Sequence, residues 1–303
     1  MKRTQRRLLQ WYRRSGRSGL PWRVARNPYY TVISEFMLAQ TQVDRVTPKF
    51  QSFVERFPDF ASLAKASVAD VLREWKGLGY NPRAVRLKRL ADTVVERYGG
   101  TLPSEREQLR ALPGVGAYTV AAIRAFAFNL DDVPMDTNLR RIVHRVFFGV
   151  EHPPTAGARE LHERALAFAS PGHAHDWNSA LMDLGATICT ARTPKCLLCP
   201  LRPDCAAAPI DAAKLDRLRE GNLKPRSPQN AIPYEQTIRY ARGRIIDWLR
   251  DLPPGRRISL LDLHYAVAPA IPGRSLEELV EFVGALERDG LVTRDGNQVA
   301  LRE

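Results

Sequence analysis

The chain has 303 residues, a formal net charge of +13 and a pI near 10, so a polyanionic partner is the first expectation. No uncharged apolar run approaches the ~18 residues of a membrane span, and the basic N-terminus is not followed by a signal-peptide core. A cytoplasmic, nucleoid-associated protein fits these features. The basicity is uneven. Residues 1–34 hold nine Lys or Arg and no acid, whereas residues 234–303 hold ten Arg against eleven Asp or Glu. Phosphate binding is therefore expected in residues 1–233.

Most of residues 1–205 reads as helix. Glu35 lies in an apolar stretch with Val32, Ile33, Phe36 and Met37. Burial there would raise its pKa and keep it protonated near neutral pH, as a general acid requires. The plain alternative is a first-turn glutamate behind a Ser34 cap. Ser67-x-x-Asp70 and Ser104-x-x-Glu107 predict capping boxes. Val71, Leu72, Trp75 and Leu78 recur at helical spacing, as do Leu139, Ile142, Val143 and Val146, which makes Asp136 an N-cap.

All four cysteines fall within seventeen residues, Cys189, Cys196, Cys199 and Cys205, in the pattern C-x6-C-x2-C-x5-C. Four soft thiolates in one loop suit an iron–sulfur cluster or zinc, and spacing does not choose between them. Residues 206–233, with Pro225, Pro228 and Pro233, read as a linker. Beyond it, helices are expected over about 236–252, over 260–267, and after a Ser275-x-x-Glu278 cap. Leu291–Arg294 and Gln298–Leu301 flank Asp295-Gly296-Asn297, a hairpin signal. Three helices and a hairpin suggest a winged-helix-like domain over 234–303.

The Cys loop, preceded by Met182-Asp183-Leu184-Gly185-Ala186, resembles the [4Fe–4S] loop of endonuclease III-like DNA glycosylases. Leu112-Pro113-Gly114-Val115-Gly116 resembles their helix-hairpin-helix. The segments Leu20-Pro21-Trp22-Arg23, Ser34 to Val43, Gly77-Leu78-Gly79-Tyr80 and Asp136-Thr137-Asn138 are most similar to the A/G-specific adenine glycosylases, the MutY family. The resemblance spans roughly residues 20 to 205. It implies a mainly α fold: a two-lobed helix-hairpin-helix glycosylase domain (1–205, iron–sulfur loop 189–205), here with a small α/β winged-helix-like domain where many relatives carry a NUDIX-like one.

It further implies hydrolysis of the N-glycosidic bond of adenine opposite guanine or 8-oxoguanine in double-stranded DNA. A monomer is expected, and the sequence names no protein partner. Glu35 and Asp136 match the two catalytic carboxyls, general acid and stabiliser of an oxocarbenium-like state. Asn138 matches a positioning residue. Tyr118 stands where bifunctional relatives have a lysine nucleophile, so a Schiff base and strand cleavage are not expected. Trp22 and Arg23 match the adenine pocket; Gln40, with Leu38 and Tyr80 beside it, matches the residue that fills the stack after base extrusion. Pro113, Gly114, Val115 and Gly116 would let the backbone approach a phosphate. Cys189, Cys196, Cys199 and Cys205 would hold a [4Fe–4S] cluster. Departures are Ala39, Thr137, Asn81-Pro82 and Ser179, where relatives often place Gln or Glu against the adenine edge. Two other readings compete: a thymine or uracil mismatch glycosylase of the same fold, and a non-catalytic iron–sulfur DNA-binding regulator.

Overall fold

The computed structural model describes residues 3–222 and 232–303. It divides into two compact units that do not follow chain order. One comprises 1–32, 104–111 and 115–227; the other comprises 33–103, 112–114 and 228–303. The fold is mainly helical, and no helix of the described residues is long and apolar enough to cross a membrane.

In the first unit, Leu8, Leu9 and Tyr12 of the N-terminal helix Arg3–Ser15 pack with Leu139, Ile142 and Val143 of the helix Thr137–Phe147. Trp177, Leu181 and Leu184 of the helix Ala174–Thr187 complete that core. Asp136 caps its helix as expected, accepting from the Leu139 amide at 2.7 Å. The capping box at Ser104 does not form. The helix begins one residue later, Arg106–Arg110, with Glu105 at its N-cap and no side-chain cap, and the Ser104 carbonyl accepts from Arg124 Nη1 instead.

In the second unit, Phe50, Phe53, Leu63, Leu72, Trp75, Leu87 and Leu90 are essentially inaccessible. Ser67 caps the helix Val68–Glu74, accepting from the Asp70 amide at 3.1 Å. Pro82 starts the helix Pro82–Tyr98, where its missing N–H costs nothing, and Gly99 (φ 61°) closes it.

The C-terminal module follows the predicted order. The helices are Ile238–Arg250, capped by Thr237; Leu260–Val267, capped by Ser259; and Leu276–Arg288, with a complete capping box between Ser275 and Glu278. The strands Val292–Asp295 and Gln298–Leu301 form the hairpin. A third strand, Ile258–Ser259, pairs antiparallel with Gln298–Leu301 and is too short to leave a period in the sequence. Within this unit the module is joined to the preceding helices by Ala69 N–H to Arg302 O (2.7 Å), Lys76 to Asp251 (2.6 Å) and Arg250 to Asn81 (2.5 Å). The unusual Asn81-Pro82 thus starts a helix and anchors this module. In the stretch read as a linker, Ala212–Asn222 is helical with Leu215 buried; Pro225 and Pro228 lie outside the described residues.

Candidate active site and nucleic-acid interface

Glu35 is half-buried near the end of the helix Pro28–Leu38. That helix starts at Pro28, behind Asn27, whose Oδ1 accepts from the Tyr29 amide at 2.8 Å. Ser34 is therefore interior and is not a cap, which removes the first-turn alternative for Glu35. Phe36, beside Glu35, faces the hairpin glycine. A Cβ on Gly114 (φ 78°) would stand 3.1 Å from the Phe36 ring and 3.2 Å from Arg86 Cβ. Glycine is required there by both conformation and space. Gly116 then opens the helix Ala117–Ala122, on which Tyr118 is 38% exposed. Val115 is buried.

Asp136 belongs to the other unit. Burial pushes its carboxyl above the usual aspartate value, more than the amides of Leu139 and Asn138 and the charge of Arg141 pull it down. Asn138 Nδ2 donates to Asp136 Oδ2 at 3.3 Å, and Asn138 Oδ1 accepts from Arg141 Nη2 at 2.8 Å. Arg141 also donates to the carbonyls of Gly185 (2.7 Å) and Cys189 (2.8 Å). Gly185 has no room for a side chain: a Cβ would lie 2.6 Å from Asn138 Cβ. The Asp136–Asn138 pair is thus fixed from the helix Ala174–Thr187.

Asp183, on that same helix, is 1% exposed and accepts from Arg23 Nη1 (2.9 Å), Arg17 Nε (2.8 Å) and the Arg17 amide (2.7 Å). Burial alone would raise its pKa, but Arg23 and Arg17 hold it below the usual value. The guanidinium of Arg23 is thereby committed to Asp183, beside a buried Trp22. Ser179 is fully buried, and its hydroxyl meets no hydrogen-bond partner among the described residues.

Gln40 is exposed in a left-handed turn (φ 62°), and Tyr80 is 57% exposed with φ 47°. Both depend on Arg83, a residue that sequence reasoning missed. Its guanidinium is buried and donates to the carbonyls of Phe36 (2.9 Å), Met37 (3.1 Å) and Ala39, to Thr41 Oγ1 (3.2 Å), and to the carbonyls of Leu78 (3.0 Å) and Gly79 (3.1 Å). Arg83 therefore caps the helix that carries Glu35 and Leu38, and ties the Gln40 turn to the Gly77–Tyr80 loop. The available signal was an arginine just inside a proline-started helix, which by itself reads as an exposed charge.

The four cysteines are half-buried and line one small cavity with Arg145 and Arg202. Burial pushes the Cys199 thiol up to about 11 and raises Cys205 as well, and the neighbouring thiols add to both. Arg145, fully buried and paired with Glu151 at 2.7 Å, donates to Cys189 Sγ (3.5 Å) and to the Thr190 carbonyl (2.7 Å); its own carbonyl accepts from Cys205 Sγ at 3.3 Å. Among the described residues, no three His, Cys, Asp or Glu side chains are arranged to hold a single metal ion.

Residues 33–166 match the family model described as HhH-GPD superfamily base excision DNA repair protein. The adenine DNA glycosylase of Mycolicibacterium smegmatis is 36% identical over 293 residues, covering 95% of this chain and 93% of that protein. The thymine/uracil-DNA glycosylase of Pyrobaculum aerophilum is 34% identical over 199 residues, covering 64% of this chain and 86% of that one. A solved structure of a thermostable thymine-DNA glycosylase superposes with a TM-score of 0.61 at 32% identity, covering 67% of this chain and 93% of that chain. The first similarity runs through the C-terminal module; the other two cover only about two thirds of the chain.

Proposed function

Since this chain belongs to the adenine DNA glycosylases of base excision repair, we propose that it releases adenine mispaired with guanine or 8-oxoguanine and leaves the DNA strand uncut. Membership of an enzyme family sets aside the reading as a non-catalytic regulator. Glu35 protonates the departing base, and its half-buried place in an apolar helix supports that role. Asp136 faces the cationic sugar of the transition state. The observation that carries the reading is its setting: a rigidly capped carboxylate, desolvated and held by an asparagine rather than neutralised by an arginine clamp. Asn138 aims it. Tyr118 cannot form an imine with the sugar, which supports simple hydrolysis. Trp22 and Ser179 belong to the base pocket, with Arg23 bracing it through Asp183. Gln40, Leu38 and Tyr80 fill the stack, and the Pro113–Gly116 backbone receives a phosphate.

The four thiols are the ligands of a [4Fe–4S] cluster in this reading. The soft donor set fits, and a cluster spans more space between thiolates than one ion does. That agrees with four sulfurs around one cavity. When bound, the cluster would brace the 189–205 loop; no step of the reaction passes through it.

The test is base release from otherwise identical duplexes bearing A·8-oxoG, A·G, A·C, T·G and U·G. Adenine release from the first two is expected, and Glu35→Gln should retain binding while losing about 10²–10⁴-fold in rate. Release of thymine or uracil without adenine would overturn the specificity.

A further inference from the structure

Within the second unit, the C-terminal module meets the helix Pro82–Tyr98 around a cavity of about 430 Å³. We infer that this cavity binds a phosphate-type oxyanion, as inorganic phosphate or a small phosphomonoester, and that the anion fastens the module to the helix. The cavity shares no residue with the proposed catalytic pair or the thiol loop.

The geometry centres on Gly290, which lies just past the helix Leu276–Arg288 with a φ of 76°. Two guanidinium groups flank the space that a side chain would take there. A Cβ would stand 2.8 Å from Arg89 Nη2 and 3.6 Å from Arg302 Nη1. Arg89 belongs to the helix, and Arg302 follows the last strand of the module, so like charges face each other across the joint. Their backbones are fixed. Arg89 sits within a seventeen-residue helix, while the Arg302 carbonyl accepts from the Ala69 amide (2.7 Å) and its amide donates to the Leu291 carbonyl (3.1 Å).

Neighbouring acids leave this charge in place. Asp92 accepts from Lys88 Nζ at 2.6 Å, and Glu303 Oε1 accepts from the Gly255 amide at 3.2 Å. Arg89, Arg302 and Lys65 on the same wall are exposed and make no ion pair among the described residues. An oxyanion between the two guanidinium groups accepts from both, which turns a repulsion into charge-assisted hydrogen bonds. The planar forks match an oxyanion rather than a halide. Three uncommitted cations balance a dianion better than the single charge of a carboxylate. The volume is that of a small-molecule site, roughly 300–1,000 Å³.

The experiment follows the melting temperature of the full chain, without DNA, against sodium phosphate at an ionic strength held constant with sodium chloride. Wild type should gain about 2–4 °C, saturably, at about ten times the dissociation constant. Arg89→Gln and Arg302→Gln should each weaken the phosphate affinity at least about tenfold, the weight of one charge-assisted hydrogen bond. General stabilisation by phosphate as an excluded salt acts on all three proteins alike, so the difference between them reads the site. Arg302→Glu places a fixed anion beside Arg89; it should melt above wild type in chloride buffer and no longer respond to phosphate. A phosphate response that is absent in wild type, or identical in wild type and both glutamine variants, would overturn the proposal. So would glutamine variants that lose duplex affinity while wild type shows no saturable response, because the pair would then serve the DNA backbone. Base release enters none of these readings, so they stand apart from the fate of the proposed reaction.

Discussion

Two aspartates in the first unit are both buried, and their surroundings push them in opposite directions. Asp183 is gripped by two arginines and a backbone amide, and its pKa falls. Asp136 has amides and an asparagine but no ion pair among the described residues, and its pKa rises. A clamped carboxylate is a structural tie whose field is already spent. A desolvated carboxylate with no cation bonded to it keeps most of its field unspent, for a transient positive charge to use. The same residue type, on two elements that pack together, thus takes two electrostatic characters according to its counter-ions, and the proposed mechanism uses the second for chemistry.

The comparison is broken most severely by Asp136→Asn. Asparagine caps about as well, so the helix should survive, while single-turnover adenine release should fall on the order of 10³-fold. Thermal stability at neutral pH should be unchanged or higher, because the variant removes a desolvated charge. Asp183→Asn should do the reverse, costing about 3 kcal/mol in denaturant unfolding, the lower end for a broken buried pair because Arg17 is partly exposed.

The pH dependence separates the two further. For Asp183, whose pKa is lowered in the fold, the stabilisation is present above its ordinary value of 3.8 and is lost as pH falls through the lowered one. For Asp136, whose pKa is raised, the contribution is fully present below 3.8 and is lost as pH rises through the raised value. Melting curves of each variant against wild type across that range should diverge in opposite senses; parallel curves would remove the distinction.

Gly185→Ala should cost roughly 1–3 kcal/mol by overpacking, and it should slow base release more than unfolding alone explains, because the new methyl displaces Asn138. The smallest effect is expected for Ser179→Ala. Removing a buried hydroxyl without a partner should leave stability equal or up to about 1 kcal/mol higher by thermal melting. Because the proposed base pocket includes Ser179, the same variant should also lose adenine selectivity, and unchanged selectivity would remove Ser179 from the pocket.

Much of this is legible in the sequence itself. The Leu139–Val146 period with a polar residue ahead of it specified a capped helix, and Ser275-x-x-Glu278 specified its capping box, because both signals are local. The turn residues at 295–297 located the hairpin for the same reason. What escaped was non-local. Nothing near Arg83 in sequence announces carbonyls more than forty positions earlier, and nothing near Asp183 announces Arg17 and Arg23. Gly185 read as one letter of a motif, whereas its reason is the Cβ of Asn138 on another helix. The Ser104 box failed because a four-residue pattern cannot tell whether its helix starts one position later.

If Gln40 and Tyr80 enter the duplex as proposed above, Arg83 has a consequence for the speed of lesion search. Gln40 and Tyr80 occupy a backbone region that costs non-glycine residues of order 1–3 kcal/mol, and a free loop would leave it most of the time. With one buried guanidinium latching both turns, the conformational search is completed at folding rather than at each encounter with DNA. A probing tip that is already shaped can test a base pair within the brief dwell of a sliding protein and move on. Lysine, a single point charge, has too few donors to span the same carbonyls. The latch therefore ties the rate of interrogation along the duplex to one side chain that touches no DNA in the proposed mechanism.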